Sequence, residues 1–190
     1  MRTVHHQDWY WYEGMAWKVN PGLQGQGLYT HILRALLKQF HFMLTQYRKV
    51  FVYRFDLRLN SYTADNRIIS GFLGQLKRKV NKHYATSKFA YIWVREQERS
   101  KQQHYHLAIM LDGNKIRHPH TMQKMIEELC VIYGLSPHWS RYHNIARHMH
   151  DWEDKRLEAS KHLSYLAKTR TKGYRPTKTR DFSTSRYKQQ

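Results

Sequence analysis

Two histidines one residue apart, His104 and His106, open the run Gln103-His104-Tyr105-His106-Leu107-Ala108-Ile109-Met110-Leu111. The run reads as a β-strand, in which successive side chains point to opposite faces. His104, His106, Ala108 and Met110 then share one face. Tyr105, Leu107, Ile109 and Leu111 form an apolar counterface that needs a core. Two neutral imidazoles side by side on a rigid strand, at an open surface, can share one divalent cation. A cation held that way can polarise a phosphodiester.

The spacing alone carries little weight. With 14 histidines in 190 residues, chance supplies about one His-x-His pair, and three occur. His118-Pro119-His120 contains a proline and opens a helix, so its rings need not converge. His148-Met149-His150 lies in an unpatterned stretch before a helix cap. His104/His106 alone combines a patterned strand with a nearby acid, because Glu96 and Glu98 flank the hairpin leading into it. Glu96 is preferred as third ligand, since it ends the preceding strand while Glu98 sits in the turn. Two imidazoles and a carboxylate, with positions left for water and phosphate, suit Mg²⁺ or Mn²⁺.

Further along, Tyr165 and Lys168 fall at i and i+3, on one face of a helix. A tyrosine hydroxyl, with a pKa of about 10, is a poor nucleophile at neutral pH. A polarised phosphate and a neighbouring ammonium both help it. By pattern alone, Tyr-x-x-Lys in a basic helix is more often structural.

The elements that must position these residues are legible from periodicity. Helical spacing runs over 27–47, then a period-two strand over 50–60 carries Arg54, Asp56 and Arg58 opposite its apolar face. That charged face is either solvated or lines a site. Asp65-Asn66 caps a second helix ending in Lys77, Arg78 and Lys79. A strand at 89–96, a polar hairpin and the His-x-His strand follow. His118 to Tyr133 is a third helix, ended by Gly134. Residues 137–148 are poorly patterned, with room for one more strand, and Asp151 to Lys172 is a fourth helix with acids at its start and bases at its end. The order predicts an α+β domain over 25–173, an antiparallel sheet with helices packed on one face. It is preceded by an aromatic arm (1–24), expected to pack on the domain or to stack on bases, and followed by a basic flexible tail (174–190).

A formal net charge of +19 and a pI near 10.1 exceed what solubility needs and point to a polyanion. The 6 Trp, 14 Tyr and 7 Phe fit single-stranded nucleic acid better than a lipid surface, so a membrane is not expected as partner. Arg54, Arg58, Arg95, Lys77, Arg78, Lys79, Lys172 and Arg175 are the candidate nucleic-acid contacts. The single cysteine, Cys130, excludes an intrachain disulfide and a cysteine zinc site. With no secretory signal and no spanning apolar run, the expected compartment is a reducing cytoplasm.

Glu96, His104-Tyr105-His106 and Tyr165-Leu166-Ala167-Lys168, in that order, resemble the single-tyrosine HUH endonucleases of the rolling-circle Rep type. Tyr53-Arg54-Phe55-Asp56-Leu57, Trp93-Val94-Arg95-Glu96 and His104-Tyr105-His106-Leu107-Ala108 resemble more narrowly the inovirus replication initiators and the YagK/YfjJ C-terminal domain, over about residues 45–170. The resemblance implies an RRM-like antiparallel sheet and a divalent ion on His104, His106 and a third ligand. It also implies attack by tyrosine on a single-stranded or hairpin origin in a bacterial host. The products would be a 5′-phosphotyrosyl enzyme and a free 3′-OH that primes replication. No helicase domain follows, so a host helicase and polymerase are the further expected partners. The alternative is a non-catalytic DNA-binding regulator that keeps the fold.

Overall fold

The computed structural model describes residues 3–22, 26–97, 103–170, 172 and 179–187. Four short strands come first. Strand β1 (Val4–His5) pairs with β4 (Leu28–Tyr29), and β2 (Trp9–Tyr12) with β3 (Met15–Lys18). The β2–β3 loop is the two residues Glu13-Gly14, both at positive φ (49° and 69°). That is the twist a tight hairpin favours, and it is cheap only for glycine.

The domain proper contains α1 (Thr30–Gln46), β5 (Lys49–Leu59), α2 (Arg67–Tyr84), β6 (Ala90–Glu96), β7 (His104–Asp112), α3 (His120–Tyr133), β8 (Leu135–Ala146) and α4 (Trp152–Leu163). A 3-10 turn (Ser164–Ala167) and β9 (Phe182–Thr184) complete it. The larger sheet is antiparallel throughout, in the order β8-β5-β7-β6-β9, with β7 in the middle. Period-two patterning divides it cleanly. Val50, Val52, Ala90, Ile92, Val94, Ala108 and Met110 pack against α1 and α4. Phe51, Tyr53, Phe55, Trp93, Tyr105, Leu107, Ile109 and Leu111 pack against α2 and α3.

Helices therefore cover both faces, not one. Most positions of β5, β6 and β7 are buried on either side, and a sheet apolar on both faces must bury both. His104 and His106 accordingly do not stand on an open face. They sit at the end of a face whose middle, at Ala108 and Met110, is already core.

One further expectation is met and two are corrected. The poorly patterned stretch over 137–148 does hold one more strand, the twelve-residue edge strand β8 from Leu135 to Ala146, whose alternation is masked by a register shift opposite Tyr53/Phe55. The fourth helix does not continue to residue 172. The Ser160 and Ser164 hydroxyls donate back to the Leu157 and Lys161 carbonyls, which loosens a helix. The chain tightens into the 3-10 turn and leaves it extended at Lys168, which bridges to Leu28. The tail is not wholly free, because β9 adds to the edge of β6 and Tyr187 stacks on Phe42 at 4.1 Å. Among the described residues no helix is long and apolar enough to cross a membrane. Cys130 is buried in α3.

Candidate active site

Register assembles the site. On β7, His104 lies opposite Glu96 of β6 and Arg58 of β5, and His106 opposite Val94 and Asp56. Directly paired residues share a face, so Arg54, Asp56, Arg58, Glu96, His104 and His106 all project to one side. The Nε2 atoms of His104 and His106 converge on a single oxygen, Glu96 Oε2, at 3.2 and 2.9 Å. The ligand atoms of the three residues lie within 4.8 Å of one another.

This group can hold a metal ion, and its support is of the kind metal sites use. Asp56 Oδ1 approaches His106 Nδ1 to 2.6 Å, the place from which an outer carboxylate orients a ligand imidazole. The approach is short but poorly directed, so both atoms lack a well-formed hydrogen bond. Glu96 Oε1 is taken by Lys172 Nζ at 2.7 Å, which leaves Oε2 to the imidazoles.

Charge is tightly compensated. Burial opposes ionisation of Glu96, but hydrogen bonds from His104 and His106 and the charge of Lys172 hold its carboxyl far below the usual range. Burial likewise opposes the Asp56 charge, and His106 and Arg54 outweigh it and lower its pKa. For His106 burial disfavours the cation, yet the two facing carboxylates win and raise its pKa.

The 3-10 turn brings Tyr165 onto the site. Its ring meets His106 edge to face, with centroids 5.3 Å apart. The Arg54 guanidinium lies 4.2 Å from the ring centroid and Lys168 Nζ 4.7 Å. Burial raises the Tyr165 pKa and Glu96 adds to this, while Arg54 opposes. Burial, and then the charge of Arg54, lower that of Lys168.

The other nominated cations divide. Arg58 is exposed at the site's rim. Lys172 is not available to a ligand, since its side chain is fully buried on Glu96. Lys77, Arg78 and Lys79 lie on α2, across the sheet from the site, and Lys79 pairs with Glu128 at 2.6 Å. Glu98 and Arg175 lie outside the described residues.

Arg95 points to the α2 face as well. Its guanidinium donates to the Thr63 and Asp65 carbonyls and to Gln103 Oε1 at 2.7, 3.2 and 3.1 Å. It is a buried brace for the loop before α2, not a nucleic-acid contact. Arg95→Met is expected to cost about 3 kcal/mol, roughly 6–12 °C in Tm. The salt dependence of DNA binding should not change, whereas loss of a phosphate contact would lower the slope by about 0.7.

Sequence reasoning assigned no role to Asp56, although its place between Arg54 and Arg58 on a period-two strand was the available signal. It also missed a relay beside the site. Ser140 Oγ lies 3.0 Å from His162 Nε2, and His143 Nε2 lies 3.0 Å from His162 Nδ1. Burial, then the charges of Arg54 and His143, push His162 down to about 4. The unfolded chain therefore takes up this proton first as pH falls. The His162 contribution should be intact above pH 6.5 and lost between there and about pH 4. Discounted for partial exposure, the loss is about 1–2 kcal/mol. Urea melts across this range should show a shallower acid slope for His162→Gln, and an unchanged slope would refute the assignment.

The sequence model of the YagK/YfjJ C-terminal domain matches residues 21–185. The chain belongs to that family. No curated protein and no solved structure matches it significantly. The YagK/YfjJ match takes in β4, the whole larger sheet, all four helices and every site residue described above.

Proposed function

We propose that this YagK/YfjJ domain is a metal-dependent, single-strand DNA nicking and joining endonuclease of the HUH class, with an RRM-like sheet, acting at a replication origin. The observation that carries this reading is the packing of Tyr165 against His106, whose Nε2 is turned with that of His104 onto Glu96. The place of the histidine pair on the middle strand of an antiparallel five-stranded sheet supports it further.

In this reading His104, His106 and Glu96 would hold Mg²⁺ or Mn²⁺, which would supply Lewis-acid polarisation of the scissile phosphate. Tyr165 Oη forms a bond to phosphorus as the bond from phosphorus to the 3′ oxygen breaks. The phenolic proton leaves Tyr165 and a proton ends on the 3′ oxygen. The products are a 5′-phosphotyrosyl protein and a free 3′-OH, and the reverse reaction rejoins the strand. Lys168, its ammonium 4.7 Å from the Tyr165 ring centroid, sets a second cation beside the phenolate character that develops as the proton departs to solvent. Arg54 holds the ring by its face and places a cation where negative charge grows. The expected partners are single-stranded or hairpin origin DNA, with host helicase and polymerase acting after the nick.

The test is incubation with Mn²⁺ and single-stranded oligonucleotides tiling the DNA around its own gene. A covalent adduct that survives denaturation and carries the label from the 3′ side of the nick is expected, and EDTA should abolish it.

One observation favours a second reading, that of a DNA-binding regulator without chemistry. The Lys172 ammonium lies 2.7 Å from Glu96 Oε1 and neutralises that carboxylate from within the protein. That reading requires tight, salt-sensitive binding, no adduct, and indifference to EDTA and to His104→Ala.

A further inference from the structure

The N-terminal hairpin divides its aromatic side chains by face. Tyr10, Tyr12, Met15 and Trp17 turn inward. Trp17 is fully buried between Phe40, at 5.4 Å, and the Arg156 guanidinium, at 4.8 Å. Trp9 and Trp11 turn outward and are 45% and 72% exposed, and across from Trp9 the Lys18 Nζ lies 5.9 Å from its ring. A large exposed apolar side chain on a monomer is unremarkable singly. Two indoles at i and i+2 on one rigid strand are different, because their attachment points are about 6.7 Å apart. Stacked bases lie about 3.4 Å apart, so two exposed indoles attached at twice that spacing can each offer a face to the bases of one single strand.

The hairpin is also registered to the nucleophile's own element. Helix α4 bonds the outer edge of β3 at two successive turns, and the 3-10 turn that carries Tyr165 bonds the residue just beyond it. Arg156 Nη1 donates to the Ala16 carbonyl at 3.0 Å and Ser160 Oγ to the Lys18 carbonyl at 2.8 Å, while the Asn20 N–H donates to Ser164 Oγ at 2.9 Å. Helix positions four apart rise about 6 Å and strand positions two apart about 6.7 Å, so the two ladders stay in step. Ser164 immediately precedes Tyr165. A strand gripped at the hairpin is thereby held at a fixed offset from the site.

We infer that Trp9 and Trp11 form a base-stacking platform for single-stranded DNA flanking the scissile bond. The inference rests on the proposed DNA substrate but not on cleavage. The chain's charge of +19 favours this polyanion. An anionic membrane surface is the competing class, and the vesicle arm of the test below separates the two.

The test uses the full chain and fluorescein-labelled oligothymidylate. Trp9→Ala/Trp11→Ala should weaken binding roughly 10- to 100-fold, as expected for one or two lost stacks. The melting temperature should be unchanged, and so should the salt slope, since stacking releases no counterions. Trp9→Phe/Trp11→Phe should recover most of the affinity, and intrinsic tryptophan emission should be quenched by the oligonucleotide. Wild-type affinity in the alanine variant overturns the platform. So does an emission response to phosphatidylserine vesicles without one to the oligonucleotide. Adduct formation is scored separately in the wild-type protein. Weakened binding without any wild-type adduct leaves the platform and removes the endonuclease; an adduct with unweakened binding does the reverse.

Discussion

Tyr165→Phe is expected to abolish the covalent protein–DNA adduct, a loss on the order of 10³-fold or more, while changing single-strand affinity by less than about twofold. The substitution keeps the ring that packs on His106, Arg54 and Lys168, and removes only the attacking oxygen. The fold has no reason to respond. Rescue by a neighbouring tyrosine is limited by topology. Tyr142 stacks on Phe51 and contacts His118, on the side of the sheet that α2 and α3 cover, so it cannot reach the imidazoles without crossing the sheet. Tyr174, the next tyrosine along the chain, lies outside the described residues, and mapping the modified residue by mass spectrometry addresses it directly. An adduct of wild-type yield on Tyr165→Phe would refute Tyr165 as nucleophile while leaving the metal group untouched.

The parts of this site that sequence could disclose are those governed by strand periodicity. The shared face of His104 and His106 and the position of Glu96 across the hairpin follow from alternation and one turn. The register pairs Glu96 with His104 as that argument requires. What periodicity could not disclose is anything depending on strand order. Asp56 supports His106 only because β5, some 50 residues earlier in the chain, is the other neighbour of β7.

Lys172 looked like a phosphate contact because it lies in a basic run, yet the chain's exit from the 3-10 turn carries it into the interior. Arg95 failed for a simpler reason. Residues 95 and 96 are adjacent on one strand, so if Glu96 faces the site, Arg95 cannot. The two-sided core was also implicit in the sequence. Val50, Val52, Ala90, Ile92 and Val94 are as apolar as the residues opposite them, and a sheet with one wet face would not spend them there.

His104→Ala and Asp56→Asn should separate the roles of ligand and support, and they lead to the second large effect. Removing a ligand should lower Mn²⁺-dependent adduct formation by more than about 100-fold, beyond the range of a supporting partner, whereas Asp56→Asn should cost about 10–100-fold in metal affinity. His104 is the better choice than His106 for the first. Its side chain is 22% exposed, whereas removing His106 leaves the partly buried Asp56 and the buried Glu96 under-compensated and threatens the fold. Because the Asp56→Asn defect lies in affinity, raising Mn²⁺ should recover the adduct, with the full wild-type rate at saturation. The Tyr165→Phe defect lies in the bond-making atom, so no metal concentration should recover it. Calorimetric Mn²⁺ titration supplies the independent readout: near-absent binding for His104→Ala, weakened binding for Asp56→Asn, and unchanged binding for Tyr165→Phe. Equal Mn²⁺ affinity in His104→Ala and wild-type protein would show that the three converging side chains are a structural cluster, and the endonuclease reading would lose its metal.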